Sequence, residues 1–223
     1  MVNQEAKTPR ERYRTQVRTE IKERAWEQIA TAGASALSLN AIAKQLGMSG
    51  PALYRYYAGR DELITELVRD AYRSLADTLR AAASRPGADA STLASALRTW
   101  ALEDPQRYFL IFGTPVPGYH APDDITAIAS EVMAAILDAF AELPSSSGTA
   151  TAFDAHLEEH RDWADGHPAP AATLHRALTF WTRLHGALSL ELAGHFTGMG
   201  FDPALFYAAE LHELTGPEGD DGM

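Results

Sequence analysis

Three groups of side chains have types and spacings that could do chemistry. The first is His156-Leu157-Glu158-Glu159-His160, an H-x-x-E-H pattern. Its spacing could set two imidazoles on one helical face with Glu159 beside them, as a zinc-dependent hydrolase requires. The segment is polar, adjoins Arg161 and Asp162 and has no apolar flank to exclude water, so metal-assisted hydrolysis stands only as a remote alternative. The second group lies between Ser38 and Arg60, where Lys44, Tyr54, Arg55 and Tyr56 are interleaved with Gly50, Pro51 and Ala52. Arg55 is the side chain there able to fork onto a guanine edge, whereas tyrosine hydroxyls more often bind phosphate than read bases. Small residues at 50–52 let the backbone approach base edges, and free N–H groups at a helix start favour phosphate. The third group is dispersed: Tyr72, Trp100, Tyr108, Phe109, Phe112, Met133, Ile136 and Trp181, with His185. Together they could line one cavity for a modest, mostly apolar ligand, His185 orienting its polar group. Each of them reads more readily as ordinary core, His185 as a satisfied core histidine.

Other chemistries have no foothold. The sequence contains no G-x-S-x-G, no Walker loop and no G-x-G-x-x-G; Gly198-Met199-Gly200 lacks the third glycine and the strand context. Without cysteine, disulfides and thiolate metal sites are excluded, and no cofactor is implied.

The elements that must position these residues are helical. Val17, Ile21, Ala25 and Ile29 recur every four residues, with Gly33 as a stop, while Arg10, Arg14, Arg18 and Lys22 share that spacing on another face. Leu39, Ile42, Ala43 and Leu46 form a stripe of about two turns. Ser38 stands at its N-cap and Gly47 just past its end. Ser49 can cap a third short helix, with Pro51 in its first turn and Ala58-Gly59 as its end. Arg60-Asp61-Glu62 opens a long helix to about Ala83, striped by Leu63, Leu67, Ala71, Leu75 and Leu79. Two short helices joined by Gly47-Met48-Ser49 bury little surface; their use is geometric, one bracing the other in a major groove. Tyr57 is expected in the core.

Charge supports that use. The chain of 223 residues carries a net charge of -11, but residues 1–60 hold ten Lys/Arg against five Glu, +5, which leaves -16 for the other 163. A basic head on an acidic body suits a molecule with one end facing phosphates. The start, Met1-Val2-Asn3-Gln4-Glu5, has no signal-peptide run, and no stretch is apolar enough to span a bilayer. A cytoplasmic protein without membrane contact is expected.

The run from Ser38 to Ile64 resembles the DNA-binding domain of TetR-type regulators. Ile42-Ala43, Leu46-Gly47-Met48-Ser49, Leu53-Tyr54 with its following aromatic pair, and Arg60-Asp61-Glu62-Leu63 carry the resemblance. It covers roughly residues 14–68 and implies a fold and a division of labour. Residues 1–60 would form a basic arm and a helix-turn-helix domain. Residues 61–223 would form a helical effector-binding and dimerisation domain, joined through helix 61–83. By position, Ser38 and Asn40 would meet backbone or a groove edge, and Lys44, Tyr54 and Arg60 phosphate. Gly50, Pro51, Arg55 and Tyr56 would face the groove. The motif usually ends in Phe where this chain has Tyr57, whose hydroxyl needs a partner if buried.

The remainder reads as helices. Leu93, Leu97, Trp100 and Ala101 stripe one, Tyr108 to Phe112 another, and Ile125, Ile128, Val132, Ile136 and Phe140 a third that ends at Leu143–Gly148. Gly113–Pro122 is a loop, and 149–170 reads as a polar, mobile connector with at most one weak helix. The helix from Ala171 to Ala193 is apolar over most of its circumference and is expected to face its own core on one side and a partner on the other. With a last helix at Pro203–Leu214 it would build an isologous four-helix interface using Phe180, Leu184, Ala187, Leu188 and Phe206. Trp181-x-x-x-His185-Gly186 also resembles a C-terminal domain type of some TetR relatives. The expectation is an all-α, ligand-responsive repressor binding a palindromic double-stranded operator as a homodimer, with a small, mostly apolar effector. An activator or effector-independent regulator on the same fold is the alternative.

Overall fold

The computed structural model describes residues 8–143 and 149–216, all of whose regular structure is helical. The first seven residues of the basic arm and the Pro144–Gly148 stop lie outside the described residues. The helices are α1 (Pro9–Ala32), α2 (Leu39–Gln45), α3 (Gly50–Leu53), α4 (Arg60–Ala83) and α5 (Ala90–Glu103). They continue with α6 (Pro105–Phe112), α7 (Asp123–Ala141), α8 (Ala152–Glu159), α9 (Ala171–Leu192) and α10 (Pro203–Thr215). The chain gathers into two compact units. One holds the described residues up to Asp70 with Phe109–Pro122; the other holds Ala71–Tyr108 with those from Asp123 on.

In the first unit local chemistry sets the helix ends. Thr8 and Glu11 form a reciprocal capping box on α1, with Pro9 in the first turn. The Ser38 hydroxyl accepts the Ala41 N–H to open α2. At its far end Gly47 has φ 64°, Met48 N–H donates to Ala43 O at 2.8 Å and Gly47 N–H to Lys44 O at 3.2 Å. That is the paired Schellman pattern, and a Cβ in the left-handed region would strain it. Val17, Ile21, Ala25 and Ile29 bury the α1 stripe against a core that includes Leu39, Ile42, Leu53, Leu63, Ile64 and Leu67.

In the second unit α9 packs on α5, α7, α8 and α10. Leu174, Ala177, Phe180, Leu184 and Leu188 are buried there within the single chain. Phe180 meets Phe140 edge-on at 5.0 Å. This corrects the expected interface: Phe180, Leu184 and Leu188 keep no free surface for a partner because their own unit already covers them. Ala187 is nearly buried as well, and Phe206 alone of that set is exposed.

The stretch 149–170, expected as a mobile connector, holds α8 and a short 3-10 turn at Asp162–Ala164. Thr151 and Asp154 cap α8 reciprocally, Leu157 is buried, and buried Asp154 accepts from His175 Nδ1 on α9 at 2.8 Å. A cap, one apolar anchor and one cross-helix pair dock a segment whose composition alone looks unstructured.

Candidate nucleic-acid interface

The second helix of the pair is shorter than its sequence suggests. Only Gly50–Leu53 is regular; beyond it Tyr54 N–H donates to Gly50 O at 3.1 Å, Arg55 N–H to Ala52 O at 3.3 Å and Tyr56 N–H to Leu53 O at 2.8 Å. Overlapping turns therefore replace the expected helix to Ala58-Gly59, and Ser49 makes no side-chain cap bond. The turn is held from beneath by fully buried Leu53 and Tyr57. Tyr57 sits in the core as expected, and among the described residues its buried Oη makes no hydrogen bond of ordinary geometry. Burial pushes its hydroxyl up to about 12, against the opposing influence of Arg18.

Above this floor Asn40, Lys44, Pro51, Tyr54 and Arg55 are exposed, and Ser38, Gly50 and Tyr56 are half-buried. Asn40 Oδ1 lies 3.7 Å from where a Cβ on Gly50 would stand, so the starts of α2 and α3 adjoin. Among the described residues neither Lys44 nor Arg55 enters an ion pair, which leaves both charges available to phosphate or base. Arg60 is half-buried: its Nη2 donates to Ala34 O at 3.0 Å and Ser35 O at 3.2 Å, with Asp61 3.6 Å from Nη1. That guanidinium ties the start of α4 to the connector before α2.

The residues expected around an effector divide between the units, with Phe109 and Phe112 in the first and the other seven in the second. In the second unit Tyr108 Oη lies 2.9 Å from His185 Nδ1, and the Trp181 ring meets His185 at a centroid distance of 3.9 Å. Burial holds His185 down at about 4, so the imidazole is neutral at pH 7, and pushes the Tyr108 hydroxyl up to about 12. Trp100 and Ile136 are core; Trp100 Nε1 donates to Ser74 Oγ at 3.1 Å. Tyr72 and Met133 are half-buried.

Sequence reasoning missed an aromatic cluster of Phe196, Phe201 and Phe206, with ring centroids 5.1 to 5.9 Å apart. It missed Arg107 too, whose guanidinium lies 4.6 Å from the Trp100 ring centroid and donates to Ser74 Oγ and Trp100 O. The first had a signal in the aromatic spacing of 196–206; the second depends on three helices meeting. His156, Glu159 and His160 are all exposed; the two imidazoles stack at 4.0 Å and His160 Nδ1 faces His156 O at 2.9 Å. Among the described residues no three His, Asp or Glu side chains are placed to hold a metal.

Comparison with known proteins matches two segments of the chain. Residues 21–67 match the family described as bacterial regulatory proteins, tetR family, and residues 90–214 match the Tetracyclin repressor-like, C-terminal domain. An HTH-type transcriptional regulator of Mycobacterium bovis is 37% identical over 220 residues, covering 90% of this chain and 92% of its own length. One from Mycobacterium tuberculosis is equally similar. The crystal structure of regulatory protein SCO4313 is 75% identical with a TM-score of 0.87, covering 94% of this chain and all of that one. The fatty acid degradation regulator FadR from Bacillus halodurans shares the fold at 14% identity, with a TM-score of 0.54 over 90% of this chain and 99% of that one.

Proposed function

Because the chain belongs to the TetR family of transcriptional regulators, which are DNA-binding proteins and not enzymes, we propose that it is a ligand-responsive repressor acting on a palindromic operator as a homodimer. In this reading residues 1–60 bind DNA and 61–223 bind effector and dimerise. Among the described residues no helix is long and apolar enough to cross a membrane.

The observation that carries the reading is the contrast at the α3 turn: Pro51, Tyr54 and Arg55 stand exposed on backbone fixed by buried Leu53 and Tyr57. Arg55 takes a base edge, Gly50, Pro51 and Tyr56 line the groove, and Asn40, Lys44 and Tyr54 hold the flanking backbone. Ser38 caps α2. Dimerisation is supported by Leu190, Met199, Phe201, Leu205 and Phe206, large apolar side chains left exposed around α9 and α10. One recognition turn buries too little for specific affinity, whereas two about 34–36 Å apart engage successive major grooves.

Tyr108, Trp181 and His185 supply the polar corner of an otherwise apolar effector site, since a neutral imidazole accepts or donates without burying a charge. Derepression then follows from the effector's different affinities for two conformations of the dimer. Selection of bound duplexes from a random pool by the purified protein tests the reading. A palindrome with half-sites about one helical turn apart is expected; recovery of no enriched motif overturns it.

A further inference from the structure

Arg18 belongs to the basic stripe of α1 and is only half-exposed. Its Nη1 donates to the Tyr56 carbonyl at 3.1 Å, its Nη2 lies 3.1 Å from Glu66 Oε2, and its guanidinium carbon sits 4.4 Å from the Tyr57 ring centroid. One side chain thus links α1, the turn after α3, and α4. The carboxylate it uses is held from its other side, because Arg69 Nη1 lies 2.6 Å from Glu66 Oε1.

The Tyr56 carbonyl needs such a donor. It lies past the last regular residue of α3, where carbonyls have no following helical N–H to accept from. The next peptide group is held as well, Ala58 N–H donating to Glu62 Oε2 on α4. Both anchors of the turn therefore run to α4, directly or through Arg18. Arg55 is joined to Tyr56 by one peptide bond, so any shift of that carbonyl re-aims the side chain before it. A bidentate base contact tolerates displacement of only about half an ångström.

We propose that Arg18 is a positioning residue for base recognition: its fork, anchored on Glu66, clamps the Tyr56 carbonyl and so fixes the aim of Arg55 without itself touching DNA. The inference rests on the reading of the α3 turn as the base reader. A direct role for Arg18 at a phosphate makes the opposite prediction about Glu66. Removing that carboxylate's charge would free a phosphate ligand and strengthen DNA binding, whereas it loosens a clamp.

The test uses full-length protein and two fluorescent duplexes: one the wild type enriches from a random pool, and a scrambled duplex of equal length and composition. Arg18→Lys and Glu66→Gln are each expected to weaken binding to the enriched duplex about tenfold, the scale of one lost charge-assisted hydrogen bond. Binding to the scrambled duplex stays within about twofold, because the electrostatic contribution is sequence-independent. In Glu66→Gln the slope of log affinity against log salt is unchanged, since no phosphate contact is lost. Tighter binding of both duplexes by Glu66→Gln overturns the clamp, as does wild-type discrimination retained by Arg18→Lys. Equal weakening on both duplexes with a lowered thermal midpoint also overturns it, by assigning Arg18 to stability alone. Failure of the wild type to enrich any duplex overturns the base-reading premise too; enrichment kept by the variants overturns only Arg18.

Discussion

Two surfaces of this chain stay open to solvent for opposite reasons. Around the α3 turn the exposed groups include Asn40, Lys44, Tyr54 and Arg55, which are polar or charged, with Pro51 beside them, all carried on a buried apolar floor. Around α9 and α10 several large apolar side chains stay exposed, Leu205 at 70% and Met199 at 62% of their full accessibility, beside exposed Asp202, His212 and Glu213, while other polar anchors lie inward. There Tyr207 Oη donates to Ala94 O at 3.0 Å and Arg98 pairs with Glu191 at 2.5 Å. Water satisfies the first surface, and its natural partner is an anion whose attraction fades with salt. Water is a poor solvent for the second, whose natural partner is another apolar face and whose association responds little to salt. The two surfaces should therefore fail under different conditions.

The largest separation of the two comes from the apolar side. Leu205→Asp puts a charge in the middle of the exposed apolar surface, and sedimentation should show a monomer. DNA affinity for a two-half-site duplex then falls roughly a hundredfold or more, because the second half-site no longer binds intramolecularly. Raising salt should weaken DNA binding of the wild type steeply and leave its sedimentation unchanged. Dimer dissociation by salt alone would break the comparison.

The second effect concerns a group that neither surface exposes. His185 is held at about 4 in the folded chain against an ordinary 6.5. As pH falls below about 6.5 the unfolded chain takes up a proton that the folded chain refuses. Stability is thus complete above that pH and is lost between about 6.5 and 4. The full loss from this group is about 3 kcal/mol. Urea unfolding across that window should show a shallower pH dependence in His185→Gln than in the wild type; parallel curves would show that the imidazole titrates normally.

Next in size is Arg55→Ala, which should cost about 1–3 kcal/mol on a selected duplex and relax preference at one base. Its thermal midpoint should not move, since the side chain is exposed and outside any ion pair among the described residues. A uniform loss on every duplex would make Arg55 a phosphate ligand and Lys44-like in role.

How far each surface could be foreseen follows from the range of the forces that build it. Ser38 and Gly47 announced α2 because a cap bonds within three residues and a left-handed turn needs one particular residue. The all-helical fold followed from apolar periodicity of the same short range. The clamp on Tyr56 was not legible, because Arg18 and Glu66 are 48 positions apart and only packing brings them together. Phe180 and Leu188 were assigned to a partner because periodicity says that a helix is buried, not by which neighbour. The docking of α8 lay partly in view: Thr151 and Asp154 have cap spacing, but the His175 partner that fastens Asp154 comes from α9.

The smallest effect tests the floor beneath the DNA-facing surface. Tyr57 is wholly buried, its Oη makes no hydrogen bond of ordinary geometry among the described residues, and its ring already holds the Arg18 guanidinium at 4.4 Å. Removing that hydroxyl keeps the ring and its cation contact while deleting a buried polar atom. Tyr57→Phe should therefore raise stability by about 1 kcal/mol, since an unsatisfied buried group carries its desolvation cost uncompensated. Affinity for the selected duplex should stay within about twofold, because Leu53, Tyr56 and Arg18 keep their geometry. Loss of stability in urea unfolding would mean that the hydroxyl is satisfied after all, and the floor would then be held by a bond as well as by packing. Unchanged stability with weakened discrimination would move Tyr57 from the floor to the clamp.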